Sequence, residues 1–348
     1  MKPYWVAVLC SVLLFAGGNI PAANAQASKA QAHVTAARAA AYEPGQDFTD
    51  VFGLCAEPSP RAARTAEPTE RVAPAVAAAP AQTPRAQWYM EPVKVFDNVY
   101  YVGTAIGGNS TAWAITTSEG IILINATWDY SAEELIVNGL KKVGLDPAQI
   151  KYVIPVVAKT QIFGGAKMLQ DRYKTRVLFS EADWNVMEKA NFPAQIKPKK
   201  DMVVTDGQKL TLGDVTLTFY LTPGNTPGTV SMLISPLKDG NKKHVGAVFG
   251  GRSPFAAGDG VQYFRDEVEA MRVWGAQARR FEELAERAGA DVFLASHVNI
   301  DKTPDKVNAV KFRKSGGPHP LVSKTAVSRA QAVIYECMDA QLAWRAGN

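Results

Sequence analysis

A catalytic zinc needs three or four protein ligands drawn from histidine, cysteine and carboxylate. This chain has only four histidines, His33, His244, His297 and His319. None has a second histidine or cysteine two or four residues away, so no local zinc signature is present. His33 lies in an Ala-rich arm, His244 follows "DGNKK" at the edge of a strand, His319 sits in the turn-rich "GGPHP", and His297 closes the apolar run "DVFLASH". The stretch "IPVVAKTQIFGGAKML" (154–169) poses the converse problem. An apolar strand runs into a loop and Gly164-Gly165 opens a helix, as in many α/β enzymes at their chemistry. Yet the loop presents Val157, Lys159, Gln161 and Ile162. Val157 and Ile162 carry no donor atom, Gln161 offers an amide oxygen suited to hard cations, and Lys159 is a cation unless burial shifts it. Lys159 could instead serve as base to a hydroxyl nucleophile, Ser253 or Thr160, although no Ser-x-x-Lys spacing supports that. Lys159, Arg252 and the helix start at Gly164 would also draw a small anionic ligand. The competing reading has both cations in solvent or paired with carboxylates.

Short β-branched and aromatic runs carry these residues. From Trp88 onward "VKVF", "VYYVG", "AWAITT" and "GIILIN" read as a strand meander, with Trp113 in the core. "SAEELIVNGLKKV" (131–143) has helical spacing with Ser131 as N-cap and a glutamate three residues on. "KYVIPVV" and "RVLFS" are strands, and "GGAKMLQDRY" and "EADWNVMEKA" are helices. The second half repeats the theme: a hairpin turning at Gly213-Asp214, strands "TVSMLIS" and "HVGAVFGG", a long helix ending at Gly289, the strand "DVFLASH" and a C-terminal helix. Two β-rich halves, each with helices, predict two packed sheets covered by helices.

The chain has 348 residues, 47% apolar and 20% charged, with a net charge of +5. No basic stripe interleaved with aromatics is present, which argues against nucleic acid. Lys2, an apolar run from Tyr4 to Ala16 and the small-residue site Ala23-Asn24-Ala25 form the three parts of a signal peptide over 1–25. Export to the periplasm or medium follows, with no membrane anchor after cleavage. Residues 26–86 read as an Ala/Pro-rich arm and linker, and 87–348 as the folded domain. Cleavage would leave Cys55 and Cys337, a disulfide candidate in an oxidising compartment; the alternative is two separate buried thiols. In the C-terminal helix Ala326, Ala330, Val333, Ile334, Met338 and Leu342 form an amphipathic stripe. It would pack on its own domain or, with the arm, mediate assembly.

The order of these pieces resembles the metallo-β-lactamase superfamily over roughly residues 88–300. "NSTAWAITTSEGIILINA" is similar to its opening strands, "YVIPVVAKTQIFGGAKML" to its metal loop, and "LTPGNTPGTVSM" to its Thr-Pro-Gly-His-Thr-Pro-Gly turn. "AVFGGRSPF" and "DVFLASH" are similar to its late ligand-bearing strands, and the likeness is greatest to exported members with histidine ligands. The resemblance implies an α/β fold, the αββα sandwich of two mixed sheets covered by helices, and a dizinc hydrolase. It also implies that Val157, Lys159, Gln161 and Ile162 occupy the positions of His-x-His-x-Asp-His. Asn225 then stands for the histidine of the turn, Arg252 near the acidic bridging position, His297 at the last histidine, and Asn125 at the acidic position after the second strand. A dizinc site holds two cations about 4 Å apart with anionic and imidazole ligands, and an apolar, amide and cationic set reverses that field.

The expectation is therefore a metallo-β-lactamase-type scaffold without a zinc cofactor, a pseudoenzyme or a binding protein. Tyr263 and Phe264 are candidates to line its cleft. The alternative is a β-lactamase-like zinc hydrolase of amide or ester bonds, if metal binding is retained or the ligand positions are altered from those of a parent enzyme.

Overall fold

The computed structural model describes residues 20–43, 46–58 and 83–346. The segment 1–19, which holds most of the expected signal peptide, and the linker stretch 59–82 lie outside the described residues.

The β-branched runs pair as their alternation requires. Val93–Phe96, Val99–Tyr101, Trp113–Thr117 and Gly120–Ile124 form an antiparallel meander. Ile150–Ile154, Arg176–Ser180 and Met202–Val204 extend it as parallel strands, giving a seven-stranded mixed sheet. The second sheet has five strands: Lys209–Leu212, Val215–Leu221, Val230–Asp239, Lys242–Val248 and, parallel to the last, Val292–Phe293. Gly213 turns the first hairpin at φ 53°, a conformation that costs glycine little.

Tyr101, Trp113, Ile124, Val156, Phe219, Met232 and Val248 fill the space between the sheets. Each buried side chain of this kind contributes roughly 1.5–3 kcal/mol. The helices Ala166–Tyr173 and Glu181–Lys189, with the helical segment 129–142, cover the larger sheet. Glu267–Arg287 and Ala326–Ala346 cover the smaller one. The architecture is the αββα sandwich of two mixed sheets.

Several details differ from expectation. The helix expected to start at Ser131 begins at Asp129 and passes through a π-helical stretch, Glu133–Asn138. Ser131 sits inside it, its hydroxyl donating to Thr127 Oγ1 and to the Trp128 carbonyl, so it caps nothing. The strand "DVFLASH" shortens to Val292–Phe293, and the residues up to His297 form an extended loop.

The segment assigned to an arm is partly built into the fold. A helix runs from Ile20 to Ala41, continuous across Ala25, and buries Ala30, Val34, Ala37 and Ala41 at helical spacing. It joins Phe48, Val51 and Cys55 in one apolar cluster with the C-terminal helix. Cys55 and Cys337 are bonded, 282 residues apart. The C-terminal helix lies against both Ile20–Ala41 and Glu267–Arg287. It therefore buries Val327, Gln331, Cys337, Ala340 and Gln341 beside most of the expected stripe, while Leu342 is only half-buried.

Candidate functional site

The loops that follow Ile150–Ile154, Val215–Leu221, Lys242–Val248 and Val292–Phe293 meet at one edge of the sandwich. Val230 N–H donates to the Val156 carbonyl at 2.8 Å, tying the two sheets together there. Asn125, fully buried at φ 62°, makes three further links. Its Oδ1 accepts from Val156 N–H at 3.1 Å, and its Nδ2 donates to Thr111 Oγ1 and to the Ser296 carbonyl, each at 3.3 Å. Asn125 thus works as a buried brace that both donates and accepts.

Val157 and Ile162 are fully buried members of the intersheet core. Lys159 starts the one-turn helix Thr160–Phe163 and sends its side chain outward. Its Nζ lies 3.2 Å from Asp259 Oδ2 and 3.2 Å from the Tyr263 hydroxyl. The rings of Tyr263 and Phe255 stand 4.7 and 5.1 Å from the same nitrogen. Lys159 is therefore enclosed by the segment 255–263, whose short strands Ala257–Gly258 and Val261–Gln262 form a hairpin. A Cβ on Gly258 would meet Lys159 Nζ at 2.3 Å, so a larger residue there would displace the ammonium group from its present place. Burial and the carboxylate of Asp259 push the Tyr263 phenol well above its ordinary range.

Lys159 is accordingly not poised as a base toward Ser253 or Thr160. The Gly164-Gly165 pair does not form an anion nest either. Gly164 N–H donates to the Thr160 carbonyl and Gly165 N–H to the Ala126 carbonyl, and the helix starts at Ala166. A Cβ on Gly164 would lie 2.3 Å from Asp129 N, and one on Gly165 2.4 Å from Ala132 Cβ. The pair is needed for close packing against residues 126–132.

Asn225 is buried in the turn 222–228. Its Nδ2 donates to the Ser253 carbonyl at 2.7 Å, while its Oδ1 is buried without a partner. His297 is buried, its Nδ1 3.2 Å from Ser296 Oγ. Burial and the nearby Arg252 guanidinium lower its pKa from 6.5 to about 3, which leaves the imidazole neutral near pH 7. Arg252 is half-buried and forms no ion pair among the described residues.

The loops also enclose a residue that sequence reasoning did not single out. Asp183, in the first turn of Glu181–Lys189, is fully buried. Its carboxylate accepts from Ala158 N–H (2.8 Å), Thr226 Oγ1 (2.9 Å) and Gly228 N–H (3.0 Å). Burial raises its pKa to about 6, against those three donors and the charge of Lys159. An acidic residue three positions after a Ser N-cap ordinarily faces solvent, so nothing in "SEADWN" announces a hub.

Of the cleft candidates, Tyr263 reaches Lys159. Phe264 contributes its backbone, the N–H donating to the Ala256 carbonyl. The remaining histidines lie elsewhere: His319 stacks on Phe96 and reaches the Val95 carbonyl, His244 meets Asp291, and His33 meets Glu336. As a site for two zinc ions the gathered set is short of donors. His297 supplies one imidazole, Asn225 one amide oxygen, Val157 and Ile162 none, and Lys159 a cation already engaged.

No family model matches the sequence. Among solved structures, the fold is similar to a subclass B3 metallo-β-lactamase of Bradyrhizobium japonicum, with 26% identity over 75% of this chain and 96% of that one and a TM-score of 0.61. It is equally similar to a metallo-β-lactamase of Cronobacter sakazakii described by a HARLDQ motif, with 26% identity, 75% and 98% coverage and a TM-score of 0.61. A variant of that enzyme with three substitutions to histidine matches at 27% identity, 73% and 98% coverage and a TM-score of 0.59. With the sheet order and these neighbours in agreement, the chain belongs to the metallo-β-lactamase superfamily.

Proposed function

We propose that the chain is an exported binding protein on the metallo-β-lactamase scaffold that does not perform the superfamily's dizinc hydrolysis. The observation that carries this reading is the Lys159–Asp259 pair. At a position where the resemblance calls for a metal ligand stands an ammonium group, held by a carboxylate, a phenol and two rings. The disulfide between Cys55 and Cys337 supports export, since such bonds persist in oxidising compartments. Among the described residues no helix is long and apolar enough to cross a membrane.

The ligand in this reading is a small anion. Its anchor moves from Lys159, which is neutralised, to Arg252, which is not. The neutral His297 imidazole and the unpartnered Asn225 Oδ1 near it supply polar contacts without adding charge. Metal analysis and nitrocefin turnover of the purified chain test the first part. Two zinc ions per chain, or turnover abolished by a chelator, would refute it. Calorimetric titration with inorganic phosphate and with acetate tests the second. Saturable heat lost in Arg252→Ala and kept in Lys159→Ala is expected, and no heat in the unaltered protein would overturn it.

A zinc hydrolase remains the second reading because the Cronobacter neighbour is named a metallo-β-lactamase, and its HARLDQ motif also differs from the pattern His-x-His-x-Asp-His. HARLDQ laid over residues 157–162 matches at Ala158 and sets arginine over Lys159. It also sets histidine over Val157 and aspartate over Gln161. This chain thus lacks two strong donors that even that motif retains, which is why the metal-free reading ranks first.

A further inference from the structure

We infer that the helix pair formed by Ile20–Ala41 and Ala326–Ala346 carries a divalent-cation site of the zinc type, built from His33, Glu336 and Asp339. This site is independent of the reading given for the loop edge. One imidazole nitrogen and one oxygen of each carboxylate lie within 4.8 Å of one another, and all three side chains are half-buried. Glu336 and Asp339 are three residues apart, so they share one face of the C-terminal helix. His33 reaches that face from the opposite helix, its Nδ1 2.5 Å from Glu336 Oε2.

An imidazole with two carboxylates is a donor set that zinc accepts, with water in the fourth position. Tetrahedral bonds of about 2.0–2.1 Å place ligand atoms roughly 3.4 Å apart. Rotamer changes of about 1 Å, opening the His33–Glu336 contact and drawing in Asp339, therefore suffice. The backbone is already fixed, because the disulfide of Cys337, next to Glu336, ties the C-terminal helix to the segment following the first helix.

Asp339 now pairs with Arg279 of the long helix Glu267–Arg287. Arg279 has a second resting place, since its guanidinium already lies 4.4 Å from the Tyr335 ring centroid, and Glu282 acts on that same phenol. It can withdraw there when a cation takes the carboxylate. In the structure the three side chains take part in the contacts His33–Glu336 and Arg279–Asp339.

The test is zinc titration of the chelator-treated full chain by calorimetry, with cobalt(II) absorption as a second probe. One ion per chain is expected, with affinity at least tenfold weaker in His33→Ala and in Glu336→Gln and unchanged in His297→Ala. Circular dichroism of each variant establishes that it is folded. Glu336→Gln keeps the packing volume if His33→Ala does not fold. Absence of saturable binding, or binding indifferent to both His33→Ala and Glu336→Gln, overturns the site. Loss in His297→Ala alone would instead place the ion at the loop edge and overturn the proposed function, so the two failures are distinguishable.

Discussion

Lys159 Nζ and Asp259 Oδ2 lie 3.2 Å apart, joining the loop after Ile150–Ile154 to a hairpin a hundred residues further on. The lysine side chain is 13% exposed and the aspartate 33% exposed, so the pair is worth more than a surface contact. Lys159→Ala should lower stability by about 1–3 kcal/mol and speed hydrogen exchange in residues 257–262. Lys159→Arg, which keeps the charge, should do so less. Equilibrium unfolding in denaturant with site-resolved exchange measures both, and an unchanged hairpin would show that the pair fastens nothing.

Asp183 and His297 should oppose each other in their pH dependence. His297 is depressed in the fold to about 3, so its contribution is present above 6.5 and lost as pH falls toward 3. Asp183 is raised in the fold to about 6, so its contribution is present below 3.8 and lost as pH rises through 6. Between those limits one group binds its proton more tightly when unfolded and the other when folded, and the two slopes cancel. Asp183→Asn should uncover the histidine alone, with stability falling by about 1.4 kcal/mol per unit as pH drops from 6 to 4. Urea unfolding at several pH values reads the slope directly.

Restoring metal ligands should conflict with the core. Val157 and Ile162 are fully buried among apolar side chains, so placing histidines there buries polar groups at a cost of about 1–3 kcal/mol each. The set Val157→His, Lys159→His, Gln161→Asp, Ile162→His and Asn225→His, with Arg252→Ala, should be destabilised without metal. Zinc at about a hundred times its dissociation constant should return about 2.7 kcal/mol. A zinc-independent melting temperature would show that the ligand positions are wrongly placed.

Removing the Cys55–Cys337 bond frees a loop of 282 residues. The chain-entropy description assigns such a closure about 5.6 kcal/mol. Cys55→Ala with Cys337→Ala should therefore melt well below the oxidised protein, and the oxidised protein with added reductant should approach the double variant. Coincident melting of all three would mean that the helices hold each other without the bond.

The sandwich was legible because strands and helices advertise themselves in periods of two and 3.6, and because Gly164-Gly165 and the turn 222–228 mark fixed corners. Of the site, Val157, Lys159, Gln161, Ile162, Asn225, Arg252 and His297 could be named in advance, but not what they touch. Which carboxylate Lys159 meets depends on a hairpin that follows no period, and Asp259 lies in a loop of small residues. Asp183 was hidden because its burial is imposed by Thr226 and Gly228, over forty residues away. The helix Ile20–Ala41 was understated for a related reason. An Ala-rich stretch has too little apolar area to declare a core face, and it becomes buried only because the C-terminal helix has small residues to set against it.

The linkage of Cys55 to Cys337 also turns most of the described chain into a covalent ring that contains both sheets. A ring of that span cannot close until the chain has been synthesised through Cys337 and the two thiols meet under oxidising conditions. A chain cut short within the C-terminal helix, before Cys337, would hold every strand and every loop of the site, yet Cys55 would lack the partner it has here. Closure thus marks a chain that has been made at least as far as Cys337.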